Sequence, residues 1–156
     1  MATFRNSVKV FYWLLPLALG LCFAGRISAV DKSYFIGNWM NVDQGTRGLR
    51  AIQIGQQNNQ MMMRAWGACS PNPCKWGYVN VSLLAPNGSS QDVSAATAVF
   101  TTNFNVTRVT MRPSVAGMLE LELVSHFTDN SGRSDYILKE NFRSVSWDQW
   151  DSKTFN

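Results

Sequence analysis

Apolar and polar residues alternate along most of the chain after residue 30. Leu119, Leu121 and Leu123, for example, fall on one side of an extended strand, while Glu120 and Glu122 fall on the other. Nowhere in this part do apolar residues recur every three or four positions over a useful length. The pattern therefore predicts β-strands and no long helix.

Clusters of Gly, Pro, Asn, Asp and Ser divide the alternating part into eight segments. The connections between them are short and resemble hairpin loops, except for the longer residues 85–93. The eight predicted strands span residues 35–43, 49–55, 60–67, 74–84, 94–102, 104–112, 117–127 and 134–144.

Successive hairpins leave no room for crossover helices, so the strands should form an antiparallel meander. A flat sheet of this kind has two exposed edges, and closure into a barrel removes both. We predict an all-β domain over residues 30–144, built as an eight-stranded antiparallel up-and-down barrel, with a two-sheet β-sandwich as the alternative. Residues 145–156 lose the alternation and are predicted to be a C-terminal tail.

The first 29 residues have the pattern of a secretory signal peptide. Arg5 and Lys9 give a basic start, residues 10–24 are apolar, and Ala29 is a small residue of the kind found at cleavage sites. The apolar run is shorter than the roughly 20 residues that a spanning helix needs. We expect cleavage near Ala29, secretion to the extracellular space or the periplasm, and no membrane attachment afterwards.

The predicted signal peptide carries most of the net positive charge. The whole chain has 14 basic and 10 acidic residues, a net charge of +4. Three of the 14 basic residues lie in the signal peptide, which leaves 11 against 10 and a net charge of +1. No basic run or basic–aromatic patch remains, so the composition argues against a nucleic-acid partner.

A nearly palindromic stretch joins the third and fourth predicted strands: Trp66-Gly67, one residue, Cys69, four loop residues, Cys74, one residue, Trp76-Gly77. With Cys22 lost in the signal peptide, these two cysteines are the only ones left, and in a secreted protein they favour a disulfide. A pair of metal ligands is the alternative, but two thiols without a nearby histidine make a poor zinc site. We predict a disulfide, no metal and no cofactor.

Gly37-x-Trp39 at the start of the first strand resembles the calycin group of lipocalins, avidins and fatty-acid-binding proteins. In lipocalins this tryptophan closes one end of the barrel, and a basic residue late in the last strand packs across it. The resemblance implies that Trp39 and Arg143 close one barrel end here. The chain lacks the long C-terminal helix of typical lipocalins, and the Trp-Gly hairpin is not a feature of these three groups.

Residues suited to catalysis are few. The single histidine, His126, has no serine or cysteine in a nucleophile-elbow context, no Gly-rich phosphate loop and no metal-ligand spacing around it. With Asp129 it imitates half a triad or half a metal site, but an imidazole on a polar strand face is the simpler interpretation. We predict no catalytic residues.

Three sequons match the N-glycosylation pattern, at Asn80, Asn87 and Asn105. In a eukaryotic protein Asn87 is the best candidate, because it lies in the longest predicted loop, whereas in a bacterial protein all three matches are due to chance.

The leading functional hypothesis is a secreted, non-catalytic protein that holds a small, mainly apolar ligand in the barrel. A slip of one residue in strand parity would reverse every side chain. The residues predicted to line the wall or mouth are Met61, Met63, Trp66, Trp76, Tyr78, Phe100 and Tyr136.

Two other functions remain open at this stage. A surface-binding module for a glycan or a protein would use the stapled Trp hairpin as its contact, because aromatic residues on a rigid loop lose little entropy on binding. A barrel-type isomerase or cyclase would need a charged residue inside a cavity, such as Glu140 or His126. The directions in which Trp66 and Trp76 point distinguish the first two hypotheses.

Overall fold

The structure, a computed structural model, describes residues 29–150. The predicted signal peptide, apart from Ala29, and residues 151–156 of the predicted tail lie outside this range. The described residues contain only two short helical segments, the 3-10 turns Lys32–Phe35 and Val115–Gly117. Among these residues, no helix has both the length and the apolar character needed to cross a membrane.

Eight antiparallel strands form a closed barrel, as predicted. Each strand pairs with the next in sequence, and the last pairs with the first, which rules out the two-sheet sandwich. The strands are β1 (Gly37–Asn41), β2 (Leu49–Gln57), β3 (Gln60–Gly67), β4 (Cys74–Leu84), β5 (Ala95–Thr101), β6 (Asn105–Pro113), β7 (Leu119–Phe127) and β8 (Tyr136–Val145).

The bounds of β1 and β2 differ from the prediction for identifiable reasons. β1 begins later than expected because Lys32–Phe35 forms a 3-10 turn, capped by the Asp31 carboxylate, which accepts a hydrogen bond from the Ser33 amide at 2.8 Å. β2 runs on to Gln57 because the reversal needs only Asn58 and Asn59, both with positive φ, 48° and 63°. Two such residues form the tight hairpin turn that matches the twist of the strands.

The predicted alternation sets which side chains fill the barrel. Leu119, Leu121 and Leu123 are buried inside, and Met61 and Met63 point inward with them. The core also contains Leu49, Ile52, Ile54, Ala65, Val81, Ala96, Ala98, Phe100, Val109, Met111 and Phe142. Most of the interior is therefore packed with side chains.

The 3-10 turn Lys32–Phe35 closes one end of the barrel, which we call the closed end. Phe35 is fully buried there, and its carbonyl accepts a hydrogen bond from the Trp39 indole Nε1 at 3.0 Å. The Tyr34 hydroxyl donates to the carbonyl of Met118, between β6 and β7, at 2.9 Å. These contacts tie the N-terminal segment across the barrel.

Arg143 does not take part in this closure, contrary to what the resemblance implied. Trp39 points inward and is paired with Ser144, whereas Arg143 is paired with Met40 and is exposed on the outer face. Successive side chains of a strand point to opposite faces, so the two residues are on different sides of the wall. The Trp39 ring instead contacts that of Tyr34, with 6.1 Å between centroids.

Candidate functional site

A cavity of about 250 Å³ lies at the opposite end of the barrel, the open end. The connections β1–β2, β3–β4, β5–β6 and β7–β8 all meet there, because an up-and-down barrel places alternate loops at the same end. We call it the mouth cavity. Its lining residues are Arg47, Gly48, Gly67, Ala68, Cys69, Cys74, Trp76, Phe100, Thr102, Phe104, Asn105, Thr107, Leu123, Phe127, Arg133 and Tyr136.

Aromatic and aliphatic side chains form the inner wall of the mouth cavity. Trp76 and Phe100 meet edge to face, with 5.4 Å between ring centroids and 76° between planes. They lie where β4 and β5 separate: the two strands pair only from Val81 to Leu84 and from Ala95 to Ala98. Trp76 and Phe100 therefore cover the inside of the barrel wall where β4 and β5 are not paired with each other.

Gly77 explains why Trp76 faces the cavity. The pairing of β3 with β4 shifts by one residue between Arg64 and Trp66, and Gly77 has a φ of +82°. A β-bulge of this kind inserts one extra residue and re-aims the side chains around it. Trp76 consequently points inward while Tyr78, only two positions later, points outward and is 64% exposed.

Gly67 provides the space that the Trp76 indole occupies. A Cβ atom at Gly67 would lie 2.6 Å from Nε1 of Trp76, closer than real Cβ contacts allow. The Trp-Gly repeat thus has a separate role for each glycine. Gly67 accommodates the indole, and Gly77 makes the bulge that turns it inward.

A chain of hydrogen bonds runs down the mouth cavity beside Phe100, whose cross-strand partner in β6 is Thr107. The Thr102 hydroxyl donates to Oδ1 of Asn105 at 2.6 Å, and the Asn105 amide donates to the Thr107 hydroxyl at 3.3 Å. Thr107 in turn lies 2.7 Å from the Ser125 hydroxyl, deep in the barrel. These groups satisfy one another, so the wall is polar without a buried charge.

Two arginines lie at the rim of the mouth cavity. The Arg133 guanidinium stacks on Phe127, with its Cζ atom 4.0 Å from the ring centroid, and pairs with the Asp129 carboxylate at 2.6 Å. Hydrogen bonds from Ser131 and then Arg133 hold the pKa of Asp129 below its usual value. Arg47, in the β1–β2 loop, is exposed.

The structure separates the seven predicted ligand-binding residues into three groups. Trp76, Phe100 and Tyr136 line the mouth cavity. Met61 and Met63 are buried in the core, where they do not line it. The remaining two, Tyr78 and Trp66, lie on the outer side of the wall.

Trp66 does not face the mouth cavity. Ala65, the residue before it in β3, points into the barrel, so the Trp66 side chain points to the outer face. It is only 1% exposed on the outer face, where Trp150 covers it with 5.2 Å between ring centroids. The described part of the predicted tail thus folds back over the barrel, while Trp147 stays 72% exposed.

The predicted disulfide between Cys69 and Cys74 is present and closes the tip of the β3–β4 hairpin. The residues exposed at this tip are Cys69, Ser70, Pro71 and Asn72, not tryptophans. The hairpin is therefore a rim of the mouth cavity rather than an aromatic surface.

Neither His126 nor Glu140, the charged residues considered for catalysis, lines the mouth cavity, although the Glu140 carboxylate lies against Gly48 at its rim. His126 is on the outer face and its Nδ1 is 2.7 Å from Asp135, not Asp129; this hydrogen bond is the main reason that the pKa of Asp135 is lowered. Glu140 faces inward, but its carboxylate accepts hydrogen bonds from the Thr46 hydroxyl and, at 3.1 Å, from the Leu49 amide. Across residues 29–150, no three His, Cys, Asp or Glu side chains are grouped to hold a metal ion.

The three sequons differ in access. Asn80 and Asn87 are exposed, on β4 and in the β4–β5 connection. Asn105 is only 9% exposed and is hydrogen-bonded inside the open end, because its parity in β6 points it inward. The folded barrel has no room for a glycan at Asn105.

Sequence reasoning did not identify Arg47, Arg133, Asn105 or Thr107 as lining residues. The topology could have identified them, because alternate connections of an up-and-down barrel meet at the same end.

Comparison of the chain with protein-family models, curated proteins and solved structures found no match. The closed eight-stranded barrel is compatible with a calycin-like fold, and the site must be interpreted from its own geometry.

Proposed function

We propose that this protein is a secreted binding protein that holds a small, mainly apolar molecule in the mouth cavity. The observation that carries the proposal is the composition of that cavity. Trp76, Phe100 and Leu123 offer an apolar wall, and the polar side chains of Thr102, Asn105 and Thr107 in the same lining are already hydrogen-bonded. Concave, largely apolar sites with a few oriented polar groups are the usual form of small-molecule sites, and barrel mouths are a common place for them.

The size of the cavity limits the ligand. Its volume of about 250 Å³ is a little below the roughly 300–1,000 Å³ of pockets that take drug-sized molecules. The deeper interior is filled, since Met63, Met111 and Leu121 are fully buried there. A bound molecule is therefore small and sits at the mouth, not along the barrel axis.

The calycin-like identity and the secretion belong to the same proposal. The Gly37-x-Trp39 motif lies at the closed end, in a barrel of eight antiparallel strands, which supports the resemblance. The Cys69–Cys74 disulfide fits an oxidising compartment. An N-terminus still at Met1 on exported protein would contradict signal cleavage near Ala29.

Native mass spectrometry of the protein purified from its own source tests the binding proposal. We expect a co-purifying small molecule that is lost in Ala68→Trp, which fills the rim, and retained in Val115→Trp. Val115 is 77% exposed in the turn between β6 and β7, so this control adds the same bulk at the other end. If no molecule co-purifies and apolar dyes show no fluorescence change on addition of the protein, the carrier function is wrong.

A groove on the outer face favours a second candidate function, the binding of a glycan. Tyr78 and Trp147 flank the groove and are 64% and 72% exposed. Beside them, Arg64 Nε donates to Gln53 and the Gln53 amide donates to Asn38, both at 2.7 Å. Flat aromatic faces next to fixed amide and guanidinium groups suit the apolar faces and hydroxyl groups of a sugar.

This second function is tested on a glycan array with the wild type and the variants Tyr78→Ala and Trp147→Ala. Binding that both variants lose would favour the outer groove over the mouth cavity. Binding that neither variant alters would remove the groove from consideration.

A further inference from the structure

The charge at the mouth cavity is one-sided. Two of its lining residues, Arg47 and Arg133, are cationic, and none is Asp or Glu. The mature chain as a whole is nearly balanced in charge. Carboxylates do lie close by, but Asp129 is paired with Arg133, and Glu140 accepts hydrogen bonds from Thr46 and Leu49.

The two arginines differ in whether their guanidinium groups already have binding partners. Arg133 pairs with Asp129 at 2.6 Å and donates from Nε to Ser131 at 2.8 Å, while its plane lies over Phe127. Arg47 makes no ion pair or side-chain hydrogen bond within the described part of the chain. Arg47 is therefore the guanidinium at the rim that is available to an anion.

The backbone around Arg47 is held in place. The Gly48 amide donates to the Thr46 hydroxyl at 2.9 Å, and the Gly48 carbonyl accepts from the Ala68 amide at 2.8 Å. The Thr46 hydroxyl also bonds to Glu140 on β8. Both neighbours of Arg47 are thus anchored, one to β8 and the other to the β3–β4 hairpin, which lowers the entropy cost of ordering this loop when a ligand binds.

We propose that the ligand of the mouth cavity is a small amphipathic carboxylate. Its apolar body packs on Trp76 and Phe100, and its carboxylate meets the Arg47 guanidinium at the rim. The planar guanidinium matches a carboxylate with two parallel hydrogen bonds, and such charge-assisted bonds are stronger than neutral ones. This proposal rests on the function proposed above and specifies its ligand class.

Isothermal titration calorimetry with matched pairs of ligands tests this class. Each pair is an aryl-alkanoate and the corresponding alcohol, for example 3-phenylpropanoate and 3-phenylpropan-1-ol. We expect the wild type to bind the acids on the order of tenfold more tightly, the gain from one partly exposed charged hydrogen-bond pair. Arg47→Gln is expected to lose this preference and keep its affinity for the alcohols, while Arg47→Lys retains part of the preference.

Lys75→Gln is the matched control, because Lys75 is an exposed cation at the open end, in the β3–β4 hairpin, that does not line the cavity. It is expected to leave the preference unchanged. Equal binding of acids and alcohols by the wild type would overturn the carboxylate proposal and leave the binding function standing. A preference that survives Arg47→Gln would overturn the role of Arg47, and binding of neither class would overturn the function together with this inference.

Discussion

The indole of Trp76 lies directly against the backbone of Gly67, so close that a Cβ atom at Gly67 would be 2.6 Å from its Nε1. The contact joins the two halves of the Trp-Gly repeat, which are linked covalently by the Cys69–Cys74 disulfide. It also fixes one wall of the mouth cavity, since Trp76 packs on Phe100 from this position.

Replacing Gly67 by alanine is expected to destabilise the protein by about 1–3 kcal/mol, because the indole must move to admit the methyl group. Gly55→Ala is the control: Gly55 is also a strand glycine, but a Cβ atom there would have nothing within 4 Å. We expect its free energy of unfolding to stay within about 0.5 kcal/mol of the wild type. Urea unfolding followed by tryptophan fluorescence measures both, and equal effects would show that the Gly67–Trp76 contact is not tight.

Gly77→Ala is expected to cost about 1–2 kcal/mol for a different reason. Its φ of +82° is unfavourable for a residue with a side chain, although the space around it is open. Gly88→Ala, also in open space but without a positive φ, is the matched control and is expected to be nearly neutral. Chemical denaturation of the two variants compares them; a neutral Gly77→Ala would mean that the bulge does not require glycine.

Trp150→Ala is expected to lose about 3–5 kcal/mol, the usual cost of truncating a large buried aromatic side chain. Trp150 is 5% exposed and covers Trp66 on the outer face of β3. Trp147→Ala removes a tryptophan three positions earlier that is 72% exposed, so we expect a change within about 0.5 kcal/mol. Thermal unfolding of both variants decides whether the C-terminal segment is part of the folded barrel, and similar melting temperatures for the two would contradict it.

The pair His126 and Asp135 predicts a pH effect on the outer face. The hydrogen bond from His126 is the main cause that lowers the pKa of Asp135 from its ordinary 3.8, and the Phe127 amide adds to it. A lowered pKa stabilises the fold above about pH 3.8, and this contribution is lost as the pH falls through the lower value of the folded state.

In His126→Ala, we therefore expect the pKa of Asp135 to rise toward 3.8. Carbon-detected NMR titration of the carboxyl group measures it. The pKa of Asp129, lowered by Ser131 and Arg133 instead, serves as the internal control and is expected to stay the same. An unchanged pKa of Asp135 would mean that the pair does not form in solution.

The sequence predicted the fold more completely than the site. Alternation at Leu119, Leu121 and Leu123 is enough to assign a buried face. Short loops then imply an antiparallel meander, and closure of that meander into a barrel removes its two exposed edges. Alternation alone does not predict the directions of the Trp76 and Tyr78 side chains. They are two positions apart and would share a face in a regular strand, but the bulge at Gly77 sends them to opposite sides of the wall.

Arg47 and Arg133 were not predicted as lining residues because they are far apart in sequence and belong to separate loops. Only the closure of the barrel brings the β1–β2 and β7–β8 loops to the same rim. The position of Trp66 was missed for a related reason, since the segment that covers it follows the last strand and has no alternation to indicate where it packs.

The most direct test of the account is an NMR titration of the isotope-labelled protein with 3-phenylpropanoate. We predict saturable shifts at the Trp76 indole N–H and at the amides of Phe100 and Thr107, with no change at Trp147. Shifts confined to Trp147 and Tyr78 would place binding in the outer groove and contradict the mouth cavity as the site. An unchanged spectrum, extended to the matched alcohol, would contradict small-molecule binding at the open end.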